Sequence, residues 1–91
     1  MNDAEPPKLT PGQIRAARAL LGITGRDLAA ASKVGIATIR RAEGPFAKVT
    51  GLNRLTDAAI RRALEDMGID FIDPSDTLKG GVALRRKAAR G

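Results

Sequence analysis

Thr24-Gly25-Arg26-Asp27-Leu28-Ala29-Ala30-Ala31-Ser32-Lys33-Val34-Gly35-Ile36-Ala37-Thr38-Ile39-Arg40-Arg41-Ala42-Glu43 is the stretch on which the fold turns. Its apolar positions recur at helical spacing, and they do so twice. Thr24 and Asp27 have the spacing of a capping box, with Asp a shorter second member than Glu. The first helix of the pair is predicted over about Gly25 to Ser32, with Leu28, Ala29 and Ser32 facing inward. Lys33-Val34-Gly35 breaks it. The second covers Ile36 to about Glu43 and buries Ile39 and Ala42. Gly44-Pro45 stops it, because proline lacks a donor and restricts the residue before it. Helices that cross steeply need a small residue at their contact. Leu28-Ala29 supplies an anchor and a small neighbour, and Val34 fills the turn.

Upstream, Thr10-Pro11-Gly12-Gln13 reads as another helix start, with Thr10 capping, Pro11 at the first position and Gln13 closing the box. That helix runs to about Leu21, puts Ile14, Ala17 and Leu21 on one face with Leu20 beside them, and ends at Gly22. Residues 1–8, acidic and proline-rich at first, are expected to be disordered and do not read as a secretory signal. Downstream, residues 44–51 form a loop. A longer helix then begins between Leu52 and Asp57, with Leu52, Leu55, Ala59, Ile60, Ala63, Leu64 and Met67 as its apolar stripe and Gly68 at its end. Beyond Gly68 the period changes. Ile69-Asp70-Phe71-Ile72 is rich in strand formers, Pro74-Ser75-Asp76 and Gly80-Gly81 are turn chemistry, and Val82-Ala83-Leu84 returns. Residues 69–86 are therefore read as a β-hairpin with a long loop.

The 91 residues fit one small domain. With no Cys and no His, disulfides, thiolate metal sites and the commonest general base are all excluded. No metal site and no cofactor is expected. No apolar run approaches a membrane span, and the expected compartment is the cytoplasm of a prokaryote. Charge is laid out in blocks. Residues 8–54 carry nine Lys/Arg against two acids, residues 55–78 two against six, and residues 79–91 five against none. Such a basic body suits a polyanion, although solubilising charge also produces basic surfaces.

Ile14 to Ala29 and Val34 to Glu43 together resemble the lambda-repressor-like, Cro-type helix-turn-helix family of small bacterial and phage regulators, over about residues 9–67. The segment Ile60 to Ile72 is similar to a compact bacterial subgroup in which a helix and a hairpin close the domain. The resemblance implies a mainly α fold of four to five helices over residues 9–68, a C-terminal β-hairpin over 69–86, and a basic disordered tail over 87–91. The chain departs from the family pattern at Gly25, where a glutamine usually opens the helix, at Lys33, where the turn usually has glycine, and at Gly35, where a Ser or Thr usually caps. Lys33 is thus expected to take a left-handed conformation at a cost of about 1 kcal/mol.

The resemblance implies binding to double-stranded DNA, with the third helix in the major groove. Carried over by position, Ile36, Ala37 and Arg41 face base edges with Arg40 beside them. Arg41 can donate two hydrogen bonds to guanine, and Ile36 and Ala37 can cover thymine methyls; Ile36 has core packing as its alternative. Arg26, Lys33, Thr38 and the loop around Lys48 are expected at phosphates, with Asn53 and Arg54 as further candidates. Arg18 and Glu43 are paired by the resemblance as an ion pair between the first helix and the end of the third. If mostly buried, that pair would cost about 3 to 5 kcal/mol to break from one side. Family members commonly bind as homodimers. The hairpin and the long helix are the free apolar surfaces for dimerisation, with Ile69, Phe71, Val82 and Leu84 as candidates that otherwise complete the core of one chain. The run Arg85-Arg86-Lys87-Ala88-Ala89-Arg90 has no core-forming pattern.

No nucleophile–base pair can be assembled, so no enzyme is expected. Asp70, Asp73 and Asp76 recur every third residue, but turn chemistry explains Asp73 and Asp76 more simply than a cation site. The alternative function is an antitoxin or phage accessory protein acting through a protein partner, with the acidic helix from Asp57 to Asp66 facing a basic surface. The two phenylalanines are too few for a base-stacking RNA platform.

Overall fold

Three helices begin on side-chain caps. In the computed structural model, which describes residues 7–44 and 50–86, α1 (Pro11–Leu21) starts at Thr10 and α2 (Gly25–Ser32) at Thr24, each with a complete capping box. The shorter Asp27 closes its box as fully as Gln13 does, with Thr24 N donating to Oδ2 at 2.9 Å and Asp27 N donating to Thr24 Oγ1 at 3.0 Å. Gly22 ends α1 in the left-handed conformation. Next, α3 (Ile36–Ala42) starts at Gly35 with no side-chain cap. Asn53 then caps α4 (Arg54–Asp66), its Oδ1 accepting from Thr56 N. An antiparallel hairpin follows, β1 (Ile69–Ile72) and β2 (Gly81–Leu84), in the register Ile69↔Leu84 to Ile72↔Gly81. The described residues thus form a small, mainly helical domain of four helices and one two-stranded sheet.

The core forms where α1, α2, α3, α4 and β1 each contribute fully buried side chains, among them Ile14, Leu28, Ile39, Ile60, Leu64 and Ile69. In the packing, α2 lies on α3 and α4, α1 on β2, and α4 on β1. Each apolar group removed from water contributes about 25 cal/mol per Å² of area. Leu55 does not join this core: it is 85% exposed. The helix starts at Arg54, within the expected range, and Leu55 precedes Ile60 by five residues, about 140° around the helix. Asp57 takes the inward place and is buried. Its Oδ1 accepts from the Thr50 hydroxyl at 2.7 Å and its Oδ2 from Leu9 N at 3.3 Å, while Thr50 N donates to Leu9 O at 2.8 Å. A carboxylate without such donors would be too costly to bury.

Leu9 is fully buried and the Pro7 carbonyl accepts from Arg61, so Pro7 and Lys8 do not belong to a disordered arm. The rest of that expected arm, Lys48, Phe46 and the basic tail over 87–91 lie outside the described residues. The hairpin is tied on by polar groups. Gln13, itself buried, donates from Nε2 to the carbonyls of Ile72 at 2.9 Å and Gly81 at 3.0 Å. Gly80 makes this approach possible: its φ is +109°, and a Cβ there would stand 3.2 Å from Gln13 Nε2. At the other end of the hairpin, Arg85 bonds Asp70 and the carbonyls of Ile69 and Glu65, so it belongs to the domain and not to a tail. Ser75 makes the turn of the connecting loop, its Oγ accepting from Thr77 N and Leu78 N, while Asp73 is engaged with Arg61.

Candidate nucleic-acid interface

Two short helices and a tight turn build the candidate site. Ile39 and Ala42 are buried, and this fixes which side of α3 faces away from the core. Ala37, Arg40 and Arg41 are exposed, while Ile36 and Thr38 are half-buried. Ile36 divides its role. It packs against the core, and its Cδ1 lies 3.5 Å from where a Cβ on Gly25 would stand. Lys33 holds the turn at φ 60°, the single left-handed non-glycine among the described residues, and its own N–H closes α2 onto Ala29 O.

Arg26 and Arg40 meet across a shallow concavity of about 350 Å³ that Thr24, Gly25 and Ile36 also line. Lys33 is exposed at the opposite end of α2, roughly 11 Å further along the helix axis. Asn53 and Arg54 are exposed at the start of α4, where the Asn53 side-chain oxygen is already used as the cap.

Arg18 and Glu43 form the expected pair. Arg18 Nε donates to Glu43 Oε2 at 2.6 Å and Nη2 to Oε1 at 2.8 Å, and Nη1 reaches the Ile23 carbonyl. The Glu43 carboxylate, through these hydrogen bonds first, holds the Arg18 pKa above its ordinary value. Arg18 keeps 26% of its side chain exposed and Glu43 12%. Water can therefore take over part of a broken pair, and the cost of breaking it falls to about 1 to 3 kcal/mol. Arg15, which no pattern in the sequence singled out, donates to the Glu43 carbonyl and fastens the C-terminal end of α3 to α1. A basic side chain at that end also faces the negative pole of the helix.

The cations thus divide into two sets. Arg15, Arg18, Arg61, Arg62 and Arg85 are engaged by groups of their own chain. Arg26, Lys33, Arg40 and Arg41 have no ion pair or side-chain hydrogen bond among the described residues, and all four lie on α2, the turn or α3; Lys8, Lys79 and Arg86, outside the helices, are likewise without one. Glu43, held by Arg18, also lines the concavity, and the other acid on this face is Asp27. The Thr24 backbone amide, and after it the Thr24 hydroxyl, hold its carboxyl below the usual aspartate range.

At the hairpin, Ile69 is wholly buried in the core of its own chain and cannot serve a dimer face. Phe71 and Val82 pack against the same core, and the Phe71 ring lies under the Arg61 guanidinium, 5.1 Å from its carbon. Leu84 keeps 44% exposure. Of the acids expected along α4, Asp57 is buried, Glu65 is half-buried beside Arg61, and Asp66 is exposed beside Arg62. Among the described residues no helix is long and apolar enough to cross a membrane. No protein-family model matches the chain, and no curated protein matches it.

Proposed function

We propose that the protein is a sequence-specific, double-stranded DNA-binding transcription regulator of the lambda-repressor-like type, working at the nucleoid as two copies on a two-fold operator. In this reading α3 enters the major groove, Arg41 and Arg40 reach base edges, and Ala37 and the outer part of Ile36 meet thymine methyls. Arg26 and Lys33, at the two ends of α2, grip phosphates on either side and set the register.

One observation carries the proposal: of the seven described cations left without partners, four stand together on α2, the turn and α3. A guanidinium whose donors are satisfied internally has little to offer a phosphate. One held exposed and unpaired keeps its full capacity and repels its neighbours until an anion arrives. The testing experiment is selection of duplexes from a random pool, followed by titration of the selected site at several salt concentrations. The expected result is an inverted repeat, with affinity falling by a log–log slope of about −2 per copy, the value for two phosphate neutralisations. A pool that shows no enrichment would end the proposal.

A further inference from the structure

The leading end of α3 carries no polar side chain: its cap and first two residues are Gly35, Ile36 and Ala37. Ile39 and Ala42 face the core. At about 100° per residue, Ala37 stands about 200° from the first and about 140° from the second, so its methyl is the centre of the outward face. Ile36 flanks it and is held from beneath by the core, which fixes the part left exposed. Thr38, the nearest hydroxyl in sequence, is half-buried and stands about 200° from Ile36. The side-chain donors of that face, Arg40 and Arg41, come about 4.5 to 6 Å further along the axis than Ala37, beyond the roughly 3.4 Å between base pairs.

In the major groove thymine shows a C5-methyl and, at C4, an oxygen that accepts. Cytosine shows at C4 an amino group that donates, and no methyl. A rigid surface of methyl groups gains from contact with the C5-methyl and has no group with which to test C4. 5-Methylcytosine carries that same methyl on the cytosine ring. We propose that Ile36 and Ala37 recognise the C5-methyl of a pyrimidine rather than thymine as such, so that 5-methylcytosine is accepted in its place. Methylation of cytosine at C5 then adds affinity to any site with cytosine at that position, and occupancy follows the methylation state of the duplex. The inference rests on the reading of α3 as the helix in the major groove.

The test uses the full chain and synthetic versions of the selected operator, titrated by fluorescence anisotropy. At each thymine of the half-site, deoxyuridine removes the methyl and keeps the adenine partner. Cytosine and 5-methylcytosine, both opposite guanine, differ in the methyl alone. At one position uridine should bind more weakly than thymine by about fourfold per half-site, the value of one buried methyl. 5-Methylcytosine should exceed cytosine there by the same factor. Ala37→Gln, with its helical circular dichroism unchanged, should shrink both factors together. An operator indifferent to uridine at every thymine would overturn the proposal. So would a thymine preference with 5-methylcytosine no better than cytosine, which would mean that a donor reads the C4 oxygen. Those two results leave the regulator reading standing, whereas a random pool without enrichment ends both.

Discussion

Arg61 and Arg41 carry the same side chain and are employed in opposite ways. Arg61 sits on α4 with 12% of its side chain exposed, beside Asp73 and Glu65, donating to the Pro7 carbonyl and stacked over Phe71. It joins three parts of the sequence into one body. Arg41 sits in the last turn of α3, exposed, with none of these contacts. The two regions teach that net charge is a poor guide to what a basic protein grips. What counts is which cations the fold has left uncommitted, and four of these, Arg26, Lys33, Arg40 and Arg41, gather on the helix pair around one turn.

The largest expected effect tests the committed side of that division. Arg61→Ala should lower the free energy of unfolding in urea by about 2 to 3 kcal/mol, because a mostly covered guanidinium leaves a backbone carbonyl and two carboxylates to find water. The affinity of the remaining folded protein for duplex DNA should not change. The opposite outcome, with stability kept and affinity lost, would erase the distinction. Arg41→Ala probes the uncommitted side. Stability should stay within about 0.5 kcal/mol, while affinity for the selected operator should fall by about 2 kcal/mol, near thirtyfold. Scrambled DNA should lose much less, and equal losses on both would reduce Arg41 to a backbone contact.

Glu43→Gln moves a residue from one set to the other. Removing the carboxylate frees the Arg18 guanidinium beside the concavity that Arg26 and Arg40 line. Stability should drop by about 1 kcal/mol, and non-specific DNA affinity at low salt should rise, both within reach of melts and fluorescence titration. The smallest effect concerns Asp27. Its carboxyl should titrate below the ordinary aspartate range when followed by NMR, because the charged form is the one that Thr24 binds. With the folded value depressed, its contribution to stability is present above the unfolded pKa, about 3.9, and is lost as pH falls through the folded value. An ordinary titration would mean the box is open in solution.

Much of the fold was legible because its signals are local. Thr10 with Gln13, Thr24 with Asp27, Gly22, and Lys33 in place of a turn glycine mark helix ends through contacts three or four residues apart, and the structure has each of them. The exposure of Ala37, Arg40 and Arg41 followed from burying Ile39 and Ala42. What could not be read depends on distant partners. Leu55 reads as inward from sequence because Leu52, which is buried just before the helix, extends the apparent stripe by half a turn. The burial of Asp57 had one faint signal, its position three residues before Ile60 on the same face. Nothing near Arg61 or Arg85 in sequence announces that Asp73, the Pro7 carbonyl or the Glu65 carbonyl will meet them. Asp73 and Asp76 looked like turn formers, and Ser75 between them makes the turn instead.

The carboxamide of Gln13 has one further consequence. Its oxygen closes the start of the first helix, and its nitrogen holds two carbonyls of the hairpin, 59 and 68 residues away. Peeling either element off the body therefore pulls on the other, and one amide group spans the first helix and the last strand.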